Sequence, residues 1–318
     1  MAVYTKLEES EMREVINLYE VGNLVSFTGI TKGIMNSNYL IKTDSGKYIL
    51  RILEMDRETE EEQKELKFLE YISSHNIPCP GVVLTKKRED YIFIKGKMAS
   101  LFTFLEGKEV LDINSEILYK FGKILAKMHN LSNGMNLTRN EKIELEYLYD
   151  FIAADDKKLK DILAENYEGV SQKLQNIRNA DFSKLPSGII HNDIFPDNVF
   201  VKDGKITGLI DFNDAMTAPF IHDISIVLNF WIYCKFGSYK KELCDSFLKG
   251  YEEVRELTED EKNYLPVSLD KAALTFVFLR IKKFNFHDGE AEREFKDYRD
   301  LLPMVFENKN IEFFGKRA

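Results

Sequence analysis

Between residues 189 and 212 the chain runs Ile189-Ile190-His191-Asn192-Asp193-Ile194-Phe195-Pro196-Asp197-Asn198, then Val199 to Lys202, Asp203-Gly204, and Lys205 to Asp211-Phe212. Acids and amides thus interrupt an otherwise apolar stretch. Asp203-Gly204 between two alternating apolar runs signals a two-residue hairpin turn. With those two in the turn, Lys202 pairs with Lys205, and counting back sets Asn198 opposite Leu209. Asp211, two residues further on, then shares that face at a diagonal separation of about 7–8 Å. A carboxylate and an amide oxygen converging on one point suit a hard cation such as Mg2+, which takes few protein ligands and completes its shell with water and phosphate. Asp193 lies on a loop that Pro196 keeps from being helical, where a carboxylate beside the metal can accept a hydroxyl proton.

Each of these features alone is an ordinary solvated turn; it is their joint occurrence that points to chemistry. His191 reads as a hydrogen-bonded loop histidine rather than a general base, and Asp197 as a turn or cap residue. The elements that must position them change character once along the chain. Up to residue 105 the runs Tyr39–Thr43, Tyr48–Leu53, Tyr91–Ile94 and Ser100–Leu105 are rich in β-branched and aromatic residues, with Asp44-Ser45-Gly46 as a turn. One helix, about Glu60 to Ser74, carries Leu66, Leu69 and Ile72 at helical spacing. After Glu106-Gly107 helices dominate, the first with Ile117, Phe121, Ile124 and Met128 on one stripe. Others are expected over 142–154, 156–179, 220–236, 239–254, 259–285 and 290–301, and only 188–211 interrupts them with strands. The expected fold is α+β and two-lobed: a small N-terminal antiparallel sheet with a helix over residues 1–105, and a larger, mainly helical C-terminal lobe over 106–318.

The 318 residues carry 44 Lys+Arg against 53 Asp+Glu, a formal charge of −9, so no basic field exists to hold a nucleic acid. The first twenty residues mix acids with scattered apolar side chains, unlike a signal peptide, and Ile224–Cys234 is too short and too polar to span a membrane. The 3 cysteines have neither disulfide nor zinc spacing. A cytoplasmic protein without nucleic-acid or membrane partners, monomeric or homodimeric, is expected.

The order His191-x-Asp193, Asn198, and a hairpin ending in Asp211-Phe212 resembles the catalytic and metal loops of the protein-kinase-like superfamily, in its small-molecule branch of aminoglycoside phosphotransferases and choline kinases. The resemblance implies that ATP is the phosphoryl donor, that Asp193 is the catalytic base, that Asn198 and Asp211 hold Mg2+, and that His191 props the loop. It makes Asp223 the helix-starting aspartate that steadies the loop, a place it can hold while capping the helix. Gly29 to Asn38, with Gly33, Asn36, Ser37 and Asn38, would cover the phosphates. Where the superfamily has a phosphate-pairing lysine this chain has Arg51, a fork rather than a point charge. Glu65 is the matching helix glutamate, with Glu62 one turn earlier as the other choice. Backbone groups of Thr103-Phe104-Leu105-Glu106-Gly107 would meet adenine.

Within that superfamily the opening Met-Ala-Val-Tyr-Thr, Phe27 to Asn38, Ile77-Pro-Cys-Pro80, Phe102 to Gly107, Asn192 to Phe200 and Leu228-Asn-Phe-Trp231 are similar to the bacterial homoserine kinase family, over nearly the whole chain. That likeness implies transfer to L-homoserine, giving O-phospho-L-homoserine for threonine synthesis. The segment Asn213 to Pro219 is less like that family and lies where an alcohol acceptor should bind, which keeps a choline, ethanolamine or aminoglycoside kinase as the alternative. Arg51 in place of lysine motivates a further alternative, a nucleotide-binding module without catalysis. Homoserine would need cations for its carboxylate and acids for its ammonium, and Arg280, Lys282, Lys283 and Asp214 stand as candidates by lobe position.

Overall fold

Alternating β-branched and aromatic residues build the first part of the chain into antiparallel strands, as their spacing predicts. The computed structural model describes residues 3–31, 36–54, 59–138, 149–150, 154, 157–285 and 297–307. The chain divides into two compact units, Met1–Glu109 with Asn198–Asn213, and Val110–Asp197 with Asp214–Ala318.

The first unit begins with helix α1 (Glu9–Ile16). Its sheet holds β1 (Leu24–Gly29), β2 (Ser37–Thr43), β3 (Lys47–Ile52), β4 (Val82–Val83), β5 (Ile92–Ile94) and β6 (Lys97–Thr103), in the order β1-β2-β3-β6-β4 with β5 also on β6. One face of β2 is buried and the other faces outward, and Ile41, Leu50, Ile52, Ala99 and Leu101 lie in the core without solvent exposure. Helix α2 (Thr59–Ser74) buries Leu66, Phe68, Leu69 and Ile72, and with them Glu61, Glu62 and Glu65. β1 has no counterpart among the expected strands; it is an edge strand whose Val25 is exposed. The strand expected over Ser100–Leu105 ends at Thr103, so Phe104 and Leu105 belong to the connecting segment.

A second sheet joins β7 (Lys108–Glu109), β9 (Val199–Lys202) and β10 (Lys205–Leu209) in the order β10-β9-β7. The hairpin expected in the C-terminal lobe therefore belongs to the first unit: β7 pairs with β9, and Leu209 donates its N–H to Pro78 O at 2.6 Å. Asp203 and Gly204 have φ of 51° and 69°, the two left-handed residues of a type I′ turn, and Lys202 pairs with Lys205. Beyond that the register corrects the count. A bulge at Thr207 sets Leu209 opposite Val199 instead of Asn198. Gly208 beside the bulge packs closely on the connecting segment, where a Cβ would lie 2.8 Å from Leu105 Cδ1 and the leucine side chain would have to shift.

The second unit is mainly helical. Helix α3 (Ser115–Ser132) is capped by Asn114, whose side chain accepts from Ile117 N at 3.0 Å, worth about 1 kcal/mol. The single helix expected over 156–179 is two, α4 (Lys157–Leu163) and α5 (Tyr167–Asn179), divided where Ala164 takes a left-handed φ of 45°. A two-stranded ribbon of β8 (Ser187–Ile190) and β11 (Met216–Pro219) precedes α6 (Ile221–Ile226), which continues as a π-helical segment, Val227–Tyr233. Then come α7 (Lys241–Glu252), α8 (Glu259–Asn285) and α9 (Leu302–Phe306). Thr258 and Glu261 cap α8 reciprocally, each side chain accepting the other's N–H at 3.1 and 2.9 Å. α3 and α7 approach closely because Gly250 carries no side chain; a Cβ there would lie 2.0 Å from Tyr119 O. The helix expected over 142–154 lies outside the described residues except at 149, 150 and 154, and of that expected over 290–301 a 3-10 turn, Tyr298–Asp300, is described. Among the described residues no helix is long and apolar enough to cross a membrane.

Candidate active site

In the first unit one hydrogen-bonded line joins Glu65, Arg51, Asn213 and Asp211. Arg51 leaves β3 with its side chain 11% exposed, lies over the Phe102 ring at 4.9 Å, and donates Nη2 to Glu65 Oε1 of α2 at 2.8 Å. Burial alone would lower the arginine's pKa, but the charges of Glu65 and Glu62 outweigh it and raise it. The other arm of the fork, Nη1, donates to Asn213 Oδ1 at 3.0 Å, and Asn36 Nδ2 reaches the same oxygen at 3.3 Å. Asn213 in turn donates its Nδ2 to Asp211 Oδ1. A lysine could hold Glu65 from this strand but could not also fork to Asn213.

Asp211 ends the hairpin with an exposed carboxylate and a φ of 65°, a left-handed conformation that Asp tolerates better than most residues. Asn198 accepts the Ile210 N–H on its backbone oxygen at 2.9 Å, which holds the two ends of the hairpin together next to Asp211. Their proximity thus comes from this bond and the turned backbone at Asp211, since the bulge breaks the shared face that strict alternation would give. Both offer oxygen donors, the chemistry that suits Mg2+.

The remaining candidates of this unit occupy different roles. Ser37 is fully buried, with its hydroxyl donating to Glu54 and accepting from the N–H of Tyr4 and Thr5 at 2.8 and 3.0 Å, so it ties the N-terminal segment to the sheet. Asn38 pairs with Arg51 in the β2–β3 register. Thr103 accepts from Gly81 N at 2.8 Å, Phe104 lies under Lys47 Nζ at 5.0 Å, and Leu105 packs on Gly208. Gly33 lies outside the described residues.

In the second unit the loop after β8 is held from below by one buried carboxylate. Asp223 of α6 accepts from the backbone N–H of His191 and of Asn192, each at 2.9 Å, and from His129 Nε2 at 3.2 Å. Burial pushes the Asp223 carboxyl up, but the His129 hydrogen bond, the neighbouring histidines and the His191 N–H outweigh it and hold its pKa below the ordinary value. Asn192 takes a φ of 65°, and its Nδ2 donates to Asp214 O at 3.2 Å. His191 Nδ1 accepts the Asp193 N–H at 3.3 Å, and Asp193 O accepts the Phe195 N–H at 2.9 Å. Trp231 Nε1 donates to Ile194 O at 2.8 Å. The half-buried Asp193 is therefore presented by a loop fixed on both sides.

The support continues inward. His129 Nδ1 meets Tyr251 Oη at 2.7 Å, Arg255 Nη1 reaches the same hydroxyl at 3.2 Å, and Arg255 Nη2 pairs with the buried Glu261 at 2.9 Å. Burial lowers the pKa of His129, more than the Asp223 hydrogen bond raises it.

A model of the phosphotransferase enzyme family matches residues 26–257. A homoserine kinase of Gluconobacter oxydans is 32% identical over 286 residues, covering 88% of this chain and 90% of that protein. This chain belongs to the phosphotransferase enzyme family. A homoserine kinase of Sinorhizobium medicae is also 32% identical, over 88% of this chain and 86% of that protein. In fold the phosphotransferase is similar to an amicoumacin kinase solved with AMP-PNP and Ca2+, at a TM-score of 0.69 and 21% identity over 94% of this chain and 91% of that one. It is likewise similar to a microcompartment-associated aminopropanol kinase, at a TM-score of 0.68 and 18% identity over 94% of each chain.

Several residues of the phosphotransferase that build these clusters have no role in the sequence reading. Asn213 follows Asp211 by two positions, and its place beside that carboxylate is its one signal in the sequence. His129 interrupts the buried stripe of α3, the usual mark of a histidine with a buried partner. Tyr251 and Arg255 give no local signal, whereas Thr258-x-x-Glu261 is a capping-box signature. Of the acceptor candidates, Arg280 donates to Asp297 O at 2.8 Å, Lys282 is exposed, and the Lys283 side chain lies outside the described residues.

Proposed function

We propose that this phosphotransferase transfers the γ-phosphoryl group of ATP to the hydroxyl of L-homoserine, forming O-phospho-L-homoserine. The reaction type rests on one observation above all, a carboxylate, Asp193, presented on a loop that Asp223 and Trp231 fix from the protein side. Likeness to homoserine kinases over most of the chain supports the choice of acceptor.

Asp193 accepts the hydroxyl proton as the acceptor oxygen bonds to phosphorus and ADP leaves. His191 and Asp223 touch no reactant; they hold the backbone that aims Asp193. Arg51, oriented by Glu65, offers N–H donors to phosphate, and Asn36 and Asn38 lie on the segment that covers it. Asn198 and Asp211 would hold Mg2+, which would supply positive charge to offset that of the phosphate oxygens. Asn213 fixes the orientation of Asp211. The backbone of Thr103 to Leu105 meets adenine. The Ser37 hydroxyl is engaged with Glu54 and serves to hold the N-terminal segment to the sheet.

The test is Mg2+-dependent ADP release by the purified protein, with L-homoserine, choline, ethanolamine and kanamycin supplied separately and no acceptor as control. Stimulation by homoserine alone is expected; stimulation by another alcohol in its place keeps the reaction and discards the acceptor. Asp193→Asn should lower kcat by about 10²–10⁴-fold and leave ATP binding intact, and full activity in that variant would remove Asp193 from the mechanism.

A further inference from the structure

Three arginines among the described residues are neither exposed nor fully buried: Arg51, Arg255 and Arg280. Two of them have a buried carboxylate partner, Glu65 at 2.8 Å for Arg51 and Glu261 at 2.9 Å for Arg255. Arg280 differs. Its guanidinium donates Nη1 to a backbone carbonyl, Asp297 O, at 2.8 Å, and no described carboxylate is within ion-pair reach of it. Asp297 and Asp300 act on it from a distance, and burial lowers its pKa. A guanidinium drawn from water without a carboxylate is costly, and its unused N–H fork is shaped for one.

Arg280 shares α8 with Phe276, an aromatic residue that packs on the loop carrying Asp193. Phe195, two residues after Asp193, packs on Phe230 of the π-helical segment at 4.7 Å and edge-on against Phe276 of α8 at 4.8 Å. Phe230 and Phe276 close the triangle at 4.9 Å. Arg280 follows Phe276 by one turn on the same face of α8, about 6 Å along the helix. Phe195 and Phe276 are partly open to solvent. An acceptor whose hydroxyl meets Asp193 would thus cross the edge of an aromatic wall before reaching a cation that has no carboxylate partner among the described residues.

We infer that Arg280 receives the carboxylate of the acceptor and so selects an amino-acid alcohol over an amino alcohol that lacks the acid group. This inference rests on the homoserine reading and names the group that gives it specificity. Asp193 sets which atom reacts; Arg280 sets which alcohols are held.

The test compares kcat/KM for L-homoserine and for 3-amino-1-propanol, which keeps amine and hydroxyl without a carboxylate. Wild-type protein should prefer homoserine. Arg280→Met should reduce that preference by about ten- to a hundredfold, through the KM for homoserine, with the KM for ATP unmoved. Arg280→Lys should restore part of it and serves if the methionine variant does not fold. A general loss of structure would scale both acceptors together, so an unchanged preference in both variants overturns the inference even where rates fall. If wild-type protein shows no homoserine-dependent ADP release, the homoserine reading fails, and the inference with it. Release that persists with unaltered preference refutes the inference alone.

Discussion

The Arg51 cluster of the first unit and the Asp223 cluster of the second both take charge out of water, yet they end differently. From Glu65 the first runs through Arg51 and Asn213 to Asp211, whose carboxylate is exposed. The second runs from loop backbone through Asp223, His129, Tyr251 and Arg255 to Glu261, and Asp223, His129, Tyr251 and Glu261 have no solvent exposure. Polar chains that terminate in solvent leave a group to meet a ligand, whereas chains that close inside the protein fix a backbone shape. The comparison separates residues that bind from residues that aim.

The largest effect should come from breaking the closed chain. Asp223→Ala leaves two loop N–H groups and His129 without their acceptor and should cost about 3–5 kcal/mol in urea denaturation, together with most of the turnover. Retained stability would show that the closed chain is not a structural device. A middling effect is expected from Arg51→Lys, which keeps a charge near Glu65 but loses the fork to Asn213. The KM for ATP should rise about tenfold while the melting temperature stays close to wild type, and the reverse pattern would place Arg51 with the supporting residues.

The smallest effect concerns acid. Burial, with Lys271 nearby, lowers the pKa of His222 to about 4. Because the folded value lies below the unfolded one of about 6.5, the unfolded chain takes up the proton first. Stability is complete above that pH and falls as the pH drops towards 4. Between pH 6.5 and 5.5 the loss should be about 1 kcal/mol, read from the urea midpoint, and His222→Gln should flatten that slope. His75, the described histidine of the first unit, is exposed, so hydrogen exchange at pH 5.5 should quicken first in the helical unit. Faster exchange in the first unit alone would contradict the contrast.

What was legible in the sequence was local. The Asp203-Gly204 turn and the pairing of strands around Asp44-Ser45-Gly46 both depend on neighbours a few residues apart. The bulge at Thr207 was not legible, because it accompanies the packing of Leu105 on Gly208, residues far apart in the chain. Ser37 looked like a phosphate-facing hydroxyl because nothing in the sequence shows that Glu54 and the N-terminal segment claim it. Ala164 divides a helix that its sequence would continue, through a left-handed backbone that alanine rarely adopts. The chain behind Asp223 joins His129 to Tyr251 across 122 positions, and no spacing rule reaches that far.

Trp231 is the 1 tryptophan of the chain, fully buried, stacked on Phe121 at 4.4 Å and bonded through its indole N–H to Ile194, the residue after Asp193. The molecule therefore carries a single tryptophan, excitable apart from its 15 tyrosines, bonded to the backbone of the loop that presents Asp193. Any rearrangement of that loop on meeting a ligand must alter the hydrogen bond of the indole, and with it the emission, so that loop motion can be timed in stopped flow without a label.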